Sequence, residues 1–390
     1  MGDLAHHPGQ NFHSMKRRIW FLVNGGPFGG AETQLVRLAG WLSDSGHEVK
    51  VLTLLSSPEI QAELSRRGVQ VQTARMSIPR GATAIASLAG MLRRDRPDAL
   101  LCFLYQSTVA GRLAGRLAHV PLIVSSMRNV YIGPRRRSVI LRMTRRLSSV
   151  TVVNSRQVGK TLLDRGVLTE KLEVIPNAVE RGKFIRSSAV TQTARKELGL
   201  EQHAFVWLAA GRLNPQKDFR SLIAAFSKFQ TSFPESVLLI AGQGPERASL
   251  EAEATRRSVA GQIQFLGYRD DMPRLLAAAD ALVLSSAWEG VPNVILEALR
   301  ASLPVVATKV GGVTEIIPPG LTPYLVPPGD PDSLAQAMIR LAALDGPDRL
   351  ELGDEGRRFV EDQFDIEEIG KKWLALIESH FRAFEAGAGK

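Results

Sequence analysis

Short apolar runs that stop at glycine, serine or asparagine recur along this 390-residue chain, and most are followed by a loop and then a stretch of helical period. The pattern occurs twice. The first half carries "RRIWFLVNG", "HEVKVLTLL", "DALLCFL", "PLIVSSM" and "SSVTVVNS", with "AETQLVRLAGWLSDSG" as a helix after the first. The second half restarts with "AFVWLAAGRL", "VLLIAGQG", "IQFLGY", "ALVLSSA" and "PVVATKV". Runs that are apolar throughout, not alternating, are those of parallel strands covered on both faces by crossover helices. Strand and helix in alternation predict an α/β chain with doubly wound parallel sheets. The polar stretch "ERGKFIRSSAVTQT" at 180–193 shows no core pattern and reads as a linker. Two Rossmann-like domains are therefore expected, at 16–185 and 186–365, followed by a C-terminal helix and tail at 366–390. Residues 1–15 show no period and are expected to be a disordered leader.

Two such domains leave a cleft between facing strand ends, which is the default ligand site. In "SSAWEGVPNVILEAL" at 285–299, Gly290 and Pro292 break any helix running from Glu289. Glu289 is thus expected on a loop after a strand, and Glu297 two turns into the helix that follows. A helix N-terminus there favours a phosphate, and carboxylates beside it can accept hydrogen bonds from sugar hydroxyls. Solvated surface acids fit the spacing equally well. "GRLNPQKD" at 211–218 also follows a strand, and Arg212 with Lys217 can clamp a diphosphate. "NGGPFGGAE" at 24–32 and "AGQGPE" at 241–246 are glycine loops at strand ends that allow close backbone approach to a ligand. The first is neither a dinucleotide fingerprint nor a P-loop. Asp330-Pro331-Asp332 has the form of a metal-binding DxD, but its place before "SLAQAM" reads as a helix cap. The seven histidines show no metal spacing, and no metal or other cofactor is expected.

Net charge is +10, distributed unevenly. Residues 1–190 hold 28 Lys+Arg and 12 Asp+Glu, a balance of +16, and the remainder hold 21 and 27, a balance of −6. From Ala99 to Leu163 there are eleven basic residues and no acid. Such a face implies an anionic partner: phosphorylated lipid, a membrane surface or nucleic acid. Aromatic rings are too sparse there to provide base-stacking platforms, so nucleic acid is not expected. In "GPRRRSVILRMTRRL" at 133–147 a helix would gather Val139, Ile140, Met143 and Leu147 within about 100° of arc. That stripe is expected to pack on the N-terminal sheet. Arg135, Arg136, Arg137, Arg142, Arg145 and Arg146 would then face an anionic membrane from outside. No apolar run reaches the roughly 18 residues of a spanning helix. One cysteine, Cys102, allows no internal disulfide and fits a reducing cytosol.

"GGAE" at 29–32, "SRQVGKTLLDRGVLTEKLEVIPNAV" at 155–179, "GRLNPQKD", "IAGQGPE" and the long string through 263–312 resemble the group 1 glycosyltransferases, the retaining GT-B family four. The resemblance spans about residues 16–385. It implies a GT-B fold whose C-terminal helix crosses back to the first domain. It further implies a nucleotide-sugar donor, with UDP-sugar favoured and GDP-sugar possible. The implied acceptor is a polyprenyl-diphosphate-linked or other lipid-linked glycan in envelope biosynthesis, and the implied place is the inner face of the plasma membrane. Glu289 and Glu297 match the family's E-x7-E element, which puts Glu289 by the donor sugar and Glu297 on the ribose. Arg212 and Lys217 match the residues that hold the donor diphosphate, so Arg212, Lys217 and Glu289 form the catalytic set. Gly29, Gly30, Gly211, Gly244, Gly290, Val291, Pro292 and Asn293 complete the donor site. Where many members carry a histidine, this chain has Arg128 and Asn129, candidates for contact with the sugar or the acceptor, with ordering of the loop as the alternative role of Arg128. A same-face displacement assisted by the leaving phosphate is the implied mechanism. A GT-B epimerase or hydrolase, or a non-catalytic nucleotide-sugar-binding protein, is the alternative.

Overall fold

The computed structural model describes residues 15–25, 28–74, 81–130, 133–168 and 171–388, so the expected leader, Met15 apart, lies outside the described residues. The strands form two parallel sheets. The first comprises β1 (Arg18–Val23), β2 (Glu48–Thr53), β3 (Gln70–Thr73), β4 (Ala99–Phe103), β5 (Leu122–Met127), β6 (Val150–Val153) and β7 (Leu172–Val174). The second comprises β8 (Val206–Ala210), β9 (Val237–Ala241), β10 (Ile263–Gly267), β11 (Ala281–Leu284), β12 (Val305–Thr308) and β13 (Leu325–Val326). Their orders, β3-β2-β1-β4-β5-β6-β7 and β10-β9-β8-β11-β12-β13, both reverse direction beside the first strand. Loops leaving neighbouring strands there turn to opposite faces, which opens a crevice at the strand ends.

Burial explains the continuous apolar runs. Ile19, Phe21 and Val23 pack on one face of the first sheet with Leu35, Leu42 and Ile60, while Trp20 and Leu22 pack on the other with Leu88, Leu92 and Ala114. In the second sheet Val206 and Leu208 meet Ile295 and Leu299, and Trp207 and Ala209 meet Leu222 and Phe226. Neither face of these strands reaches water, so no polar alternation appears in their sequence.

The C-terminal helix Ile366–Ala388 crosses back to the first domain. Its buried Ile369, Trp373, Ile377 and Phe381 recur every four residues, one stripe of a helix, and join the cluster under β1 and β4. The Trp373 ring stacks 6.2 Å from Phe103. The crossing is pinned where Val179 donates to the Phe364 carbonyl at 2.9 Å and Ile366 donates to the Val179 carbonyl at 3.0 Å.

Three expectations are corrected. The polar stretch at 180–193 is not all linker, because the helix Ser188–Glu197 starts inside it, capped by Ser187, and Phe184 is buried in the second domain's core. Strands β3 and β13 had no apolar run to mark them, being a polar edge strand and a two-residue strand. The third concerns the helix Arg135–Thr144. Val139, Ile140 and Met143 are 53 %, 39 % and 78 % exposed, and Leu141 is the residue that packs inward. Arg112 sets this phase. Fully buried and without an ion pair among the described residues, its guanidinium donates to the Leu141 carbonyl and Thr144 Oγ1, each at 3.2 Å, and to Ser125 and Ser148. Burial pulls its pKa down to about 10, and those neutral acceptors keep its protons bonded. The helix is therefore turned to serve Arg112, and its apolar stripe faces away from the sheet.

Candidate active site

The clamp loop leaves β8 and the acidic loop leaves β11, the two strands that flank the reversal of order in the second sheet. Their side chains meet. Lys217 Nζ lies 2.6 Å from Glu289 Oε1, with 17 % and 7 % of the two side chains exposed. Ser286 donates to the same oxygen at 2.7 Å, and Gln216 Nε2 donates to Glu289 Oε2 at 3.3 Å. A buried carboxylate is tolerated here because three donors satisfy it. Arg212 is exposed and makes no ion pair among the described residues. Its charge acts on Glu32, across the cleft in the first domain.

Glycines let these loops stack. Gly242, at φ +148°, leaves no room for a side chain, since a Cβ would fall 1.8 Å from the Gly211 carbonyl oxygen. Gly244 likewise lies under the Leu213 carbonyl. Gly211 and Leu213 donate to the Ala241 and Gln243 carbonyls at 2.9 and 3.0 Å, so the second and third loops form one backbone layer. At Gly290 the close approach is between domains, a Cβ there falling 2.0 Å from the Arg128 carbonyl oxygen.

The helix Asn293–Arg300 follows, with Pro292 as its extended cap residue and Glu297 on its second turn. Its start is bonded to the first domain. Asn293 Nδ2 donates to the Gly30 carbonyl at 2.9 Å, and Asn293 Oδ1 accepts from Asn177 at 2.7 Å and Gln34 at 3.1 Å. Gly29 and Gly30, which open the helix Gly30–Asp44, therefore stand directly opposite the acidic loop. Gly26 of the same glycine loop lies outside the described residues. Glu297 is bound to Arg37 of that helix at 2.7 Å. Val291 is buried, and its carbonyl accepts from Asn177 at 2.9 Å.

Arg128 lies at the end of β5. It donates to Asn177 Oδ1 at 2.5 Å and Ser126 Oγ at 3.1 Å, with its guanidinium 5.1 Å from the Phe103 ring. Burial lowers its pKa to about 9. Asn129 follows it, half-buried. Glu32 is buried on the first turn after the glycine loop, and desolvation raises its pKa against the pull of Arg212. Among the described residues no group of three or more His, Cys, Asp or Glu is placed to hold a metal. Asp330 accepts from the Asp332 and Ser333 amides at 3.1 and 3.0 Å as a helix cap.

Residues 28–183 match the model of Glycosyltransferase Family 4, and residues 190–359 match that of Glycosyl transferases group 1. The chain belongs to the group 1 glycosyltransferases. This glycosyltransferase is 29 % identical over 280 residues to an Escherichia coli UDP-Gal:alpha-D-GlcNAc-diphosphoundecaprenol alpha-1,3-galactosyltransferase, covering 68 % of this chain and 72 % of that one. It is 24 % identical over 380 residues to the 2-deoxystreptamine glucosyltransferase of Streptomyces kanamyceticus, covering 89 % and 98 %. The crystal structure of Anabaena HepE in complex with UDP and glucose superposes with a TM-score of 0.83 at 24 % identity, covering 93 % of this chain and all of that one, and shares the GT-B fold.

The glycosyltransferase places Arg212, Lys217, Glu289 and the glycine loops at one cleft, with Gly29, Gly30 and Arg128 on its opposite wall. Sequence reasoning missed Glu32, Gln34, Arg37, Asn177, Gln216 and Ser286. Asn177 lies in "IPNAV" and Ser286 ends the "SS" after β11, so polar residues at strand ends were the available signal. Arg37 carried none, because it sits among helix-forming residues two turns from the loop.

Of the arginines assigned to a membrane, Arg135, Arg136, Arg142 and Arg146 are exposed. Arg137 and Arg145 are half-buried. Arg137 stacks over Tyr105 at 4.9 Å, and Arg145 donates to the Gly166 carbonyl at 2.7 Å.

Proposed function

We propose that this glycosyltransferase moves a sugar from a nucleotide-diphosphate donor, a UDP-sugar in the first instance, to a membrane-linked glycan with retention at the anomeric carbon. The observation that carries the reading is the Lys217–Glu289 pair beside Arg212, which has no ion pair among the described residues, at the reversal point of the second sheet. A leaving nucleoside diphosphate gathers negative charge, and Arg212 and Lys217 supply fixed positive potential where it develops. Glu289, held by Ser286 and Gln216, presents a carboxylate to the sugar hydroxyls. The reaction is proposed to need no metal, the two cations taking the role a divalent ion has elsewhere. Among the described residues no second carboxylate is bonded beside Glu289 to form the pair that a double displacement uses, so attack on the face of departure is the preferred course. Arg128 and Asn129 are assigned to the wall that receives the sugar or the acceptor.

A lipid-linked acceptor is supported by the exposed helix Arg135–Thr144, where Val139, Ile140 and Met143 stand among exposed arginines. Apolar residues flanked by cations suit the headgroup boundary of an anionic membrane. No helix among the described residues is long and apolar enough to span one. The Escherichia coli relative, whose acceptor is a diphosphoundecaprenol-linked sugar, agrees with this reading. The inner face of the plasma membrane is the proposed place of action.

Arg212→Ala and Lys217→Ala test the clamp. Each should lower kcat/KM by roughly 100-fold or more, because each removes a charged contact that strengthens as the leaving group departs. Near-normal turnover in both variants, with folding verified by thermal unfolding, would refute the assignment of this loop.

A further inference from the structure

Glu297 is held from the other domain. Arg37 lies two turns along the helix Gly30–Asp44, and its Nη2 donates to Glu297 Oε1 at 2.7 Å, with 3 % and 11 % of the two side chains exposed. Its Nη1 donates to the Ala178 carbonyl at 2.7 Å. The guanidinium is thus a fork with one arm on the first domain's backbone and the other on the second domain's carboxylate. Gln34, one turn earlier, repeats the arrangement. Its amide is bonded to both the Ala178 amide and carbonyl, at 2.7 and 2.8 Å, and donates to Asn293 Oδ1. Glu297 Oε2 accepts no hydrogen bond from any described residue and is not among the buried atoms left without a partner.

We propose that Arg37 is the positioning residue for the donor's ribose: it fixes one oxygen of Glu297 so that the other is aimed into the cleft at the ribose diol. The inference rests on the reading of Glu297 as the ribose carboxylate and extends it to a residue of the opposite domain. A free glutamate samples several rotamers, and ordering it on binding costs affinity. A guanidinium that donates to Glu297 through one nitrogen and is fixed on the Ala178 carbonyl through another removes that freedom beforehand. The same contact ties nucleotide affinity to the seating of one domain on the other. Recognition of the ribose in the second domain then depends on a side chain of the first.

The test compares UDP and GDP with their 2′-deoxy forms by calorimetric titration of the full chain, using whichever base binds. A hydrogen bond from a hydroxyl to a carboxylate supports discrimination on the order of tenfold or more. The wild type should prefer the ribonucleotide by about that factor. Glu297→Gln should reduce the preference toward unity, and so should Arg37→Gln, although Arg37 touches no ligand. Arg37→Lys keeps the charge but cannot span both partners, and should give an intermediate ratio. A merely structural role for Arg37 would lower affinity for both nucleotides alike and leave the ratio unchanged. If Arg37→Gln fails to fold, Arg37→Lys decides. A folded Arg37 variant with the wild-type ratio, while Glu297→Gln loses it, overturns the proposal and leaves the ribose reading intact. A wild-type ratio in Glu297→Gln overturns the ribose reading, and the proposal with it.

Discussion

Glu32 is a carboxylate in a place that disfavours its charge. It is 6 % exposed, and desolvation lifts its pKa above the ordinary 4.5 even with Arg212 across the cleft. A raised folded-state pKa contributes stability that is present below the unfolded value and is lost as pH rises through the folded value. Replacing the group with a neutral isostere removes that loss. Glu32→Gln should therefore raise Tm near neutral pH, and the gain should shrink to nothing as pH falls below the ordinary carboxylate range. Thermal unfolding of both proteins from about pH 3 to about pH 8 checks this, and a gain independent of pH would contradict it. Residues of this kind mark the limit of what could be read from the sequence. Arg212, Lys217 and Glu289 stood out because charged residues followed predicted strands beside glycine or proline. Glu32 and Arg37 lie inside a helix whose pattern is explained by its core face alone, and their charge partners Arg212 and Glu297 come from the facing domain.

Elements were legible in proportion to their burial. β1, β4, β8 and β11 are covered on both faces and appear as uninterrupted apolar runs, whereas the edge strand β3 and the two-residue β13 have no such run. The helix Arg135–Thr144 shows a different limit. Its period was legible, but its rotation depends on hydrogen bonds to the buried Arg112, a residue on another helix. The resulting surface predicts two components of membrane binding. Exposed cations near an anionic bilayer contribute about 1 kcal/mol each and are screened by salt, while apolar insertion is not. The protein should sediment with phosphatidylglycerol liposomes at low salt. Changing Arg135, Arg136 and Arg142 to Glu should remove most of that binding. Changing Ile140 and Met143 to Ser should abolish the fraction that persists at about 0.5 M salt. A wild type that ignores anionic liposomes at low ionic strength would favour a soluble acceptor.

At the scale of the molecule, the joins between the two domains include the segment after Val179, the return of the C-terminal helix, and the polar contacts of Asn177, Gln34 and Arg37 with the acidic loop and its helix. Trp373 is the chief apolar anchor of the return, 1 % exposed against Phe103. Trp373→Ala should cost about 3–5 kcal/mol in the first domain, seen as a lower midpoint of chemical unfolding, and a change below about 1 kcal/mol would mean that the helix is dispensable there. With the domains so joined, a donor in the proposed site would have residues of both domains beside it. The most direct measurement is release of UDP or GDP from a panel of nucleotide sugars, with and without a lipid fraction containing polyprenyl-diphosphate-linked glycans. The account predicts that one donor is consumed, that consumption depends on the lipid fraction, and that nucleotide release matches glycosylated lipid formed. Conversion of a donor to free or isomerised sugar without any acceptor, or consumption of none, would contradict it.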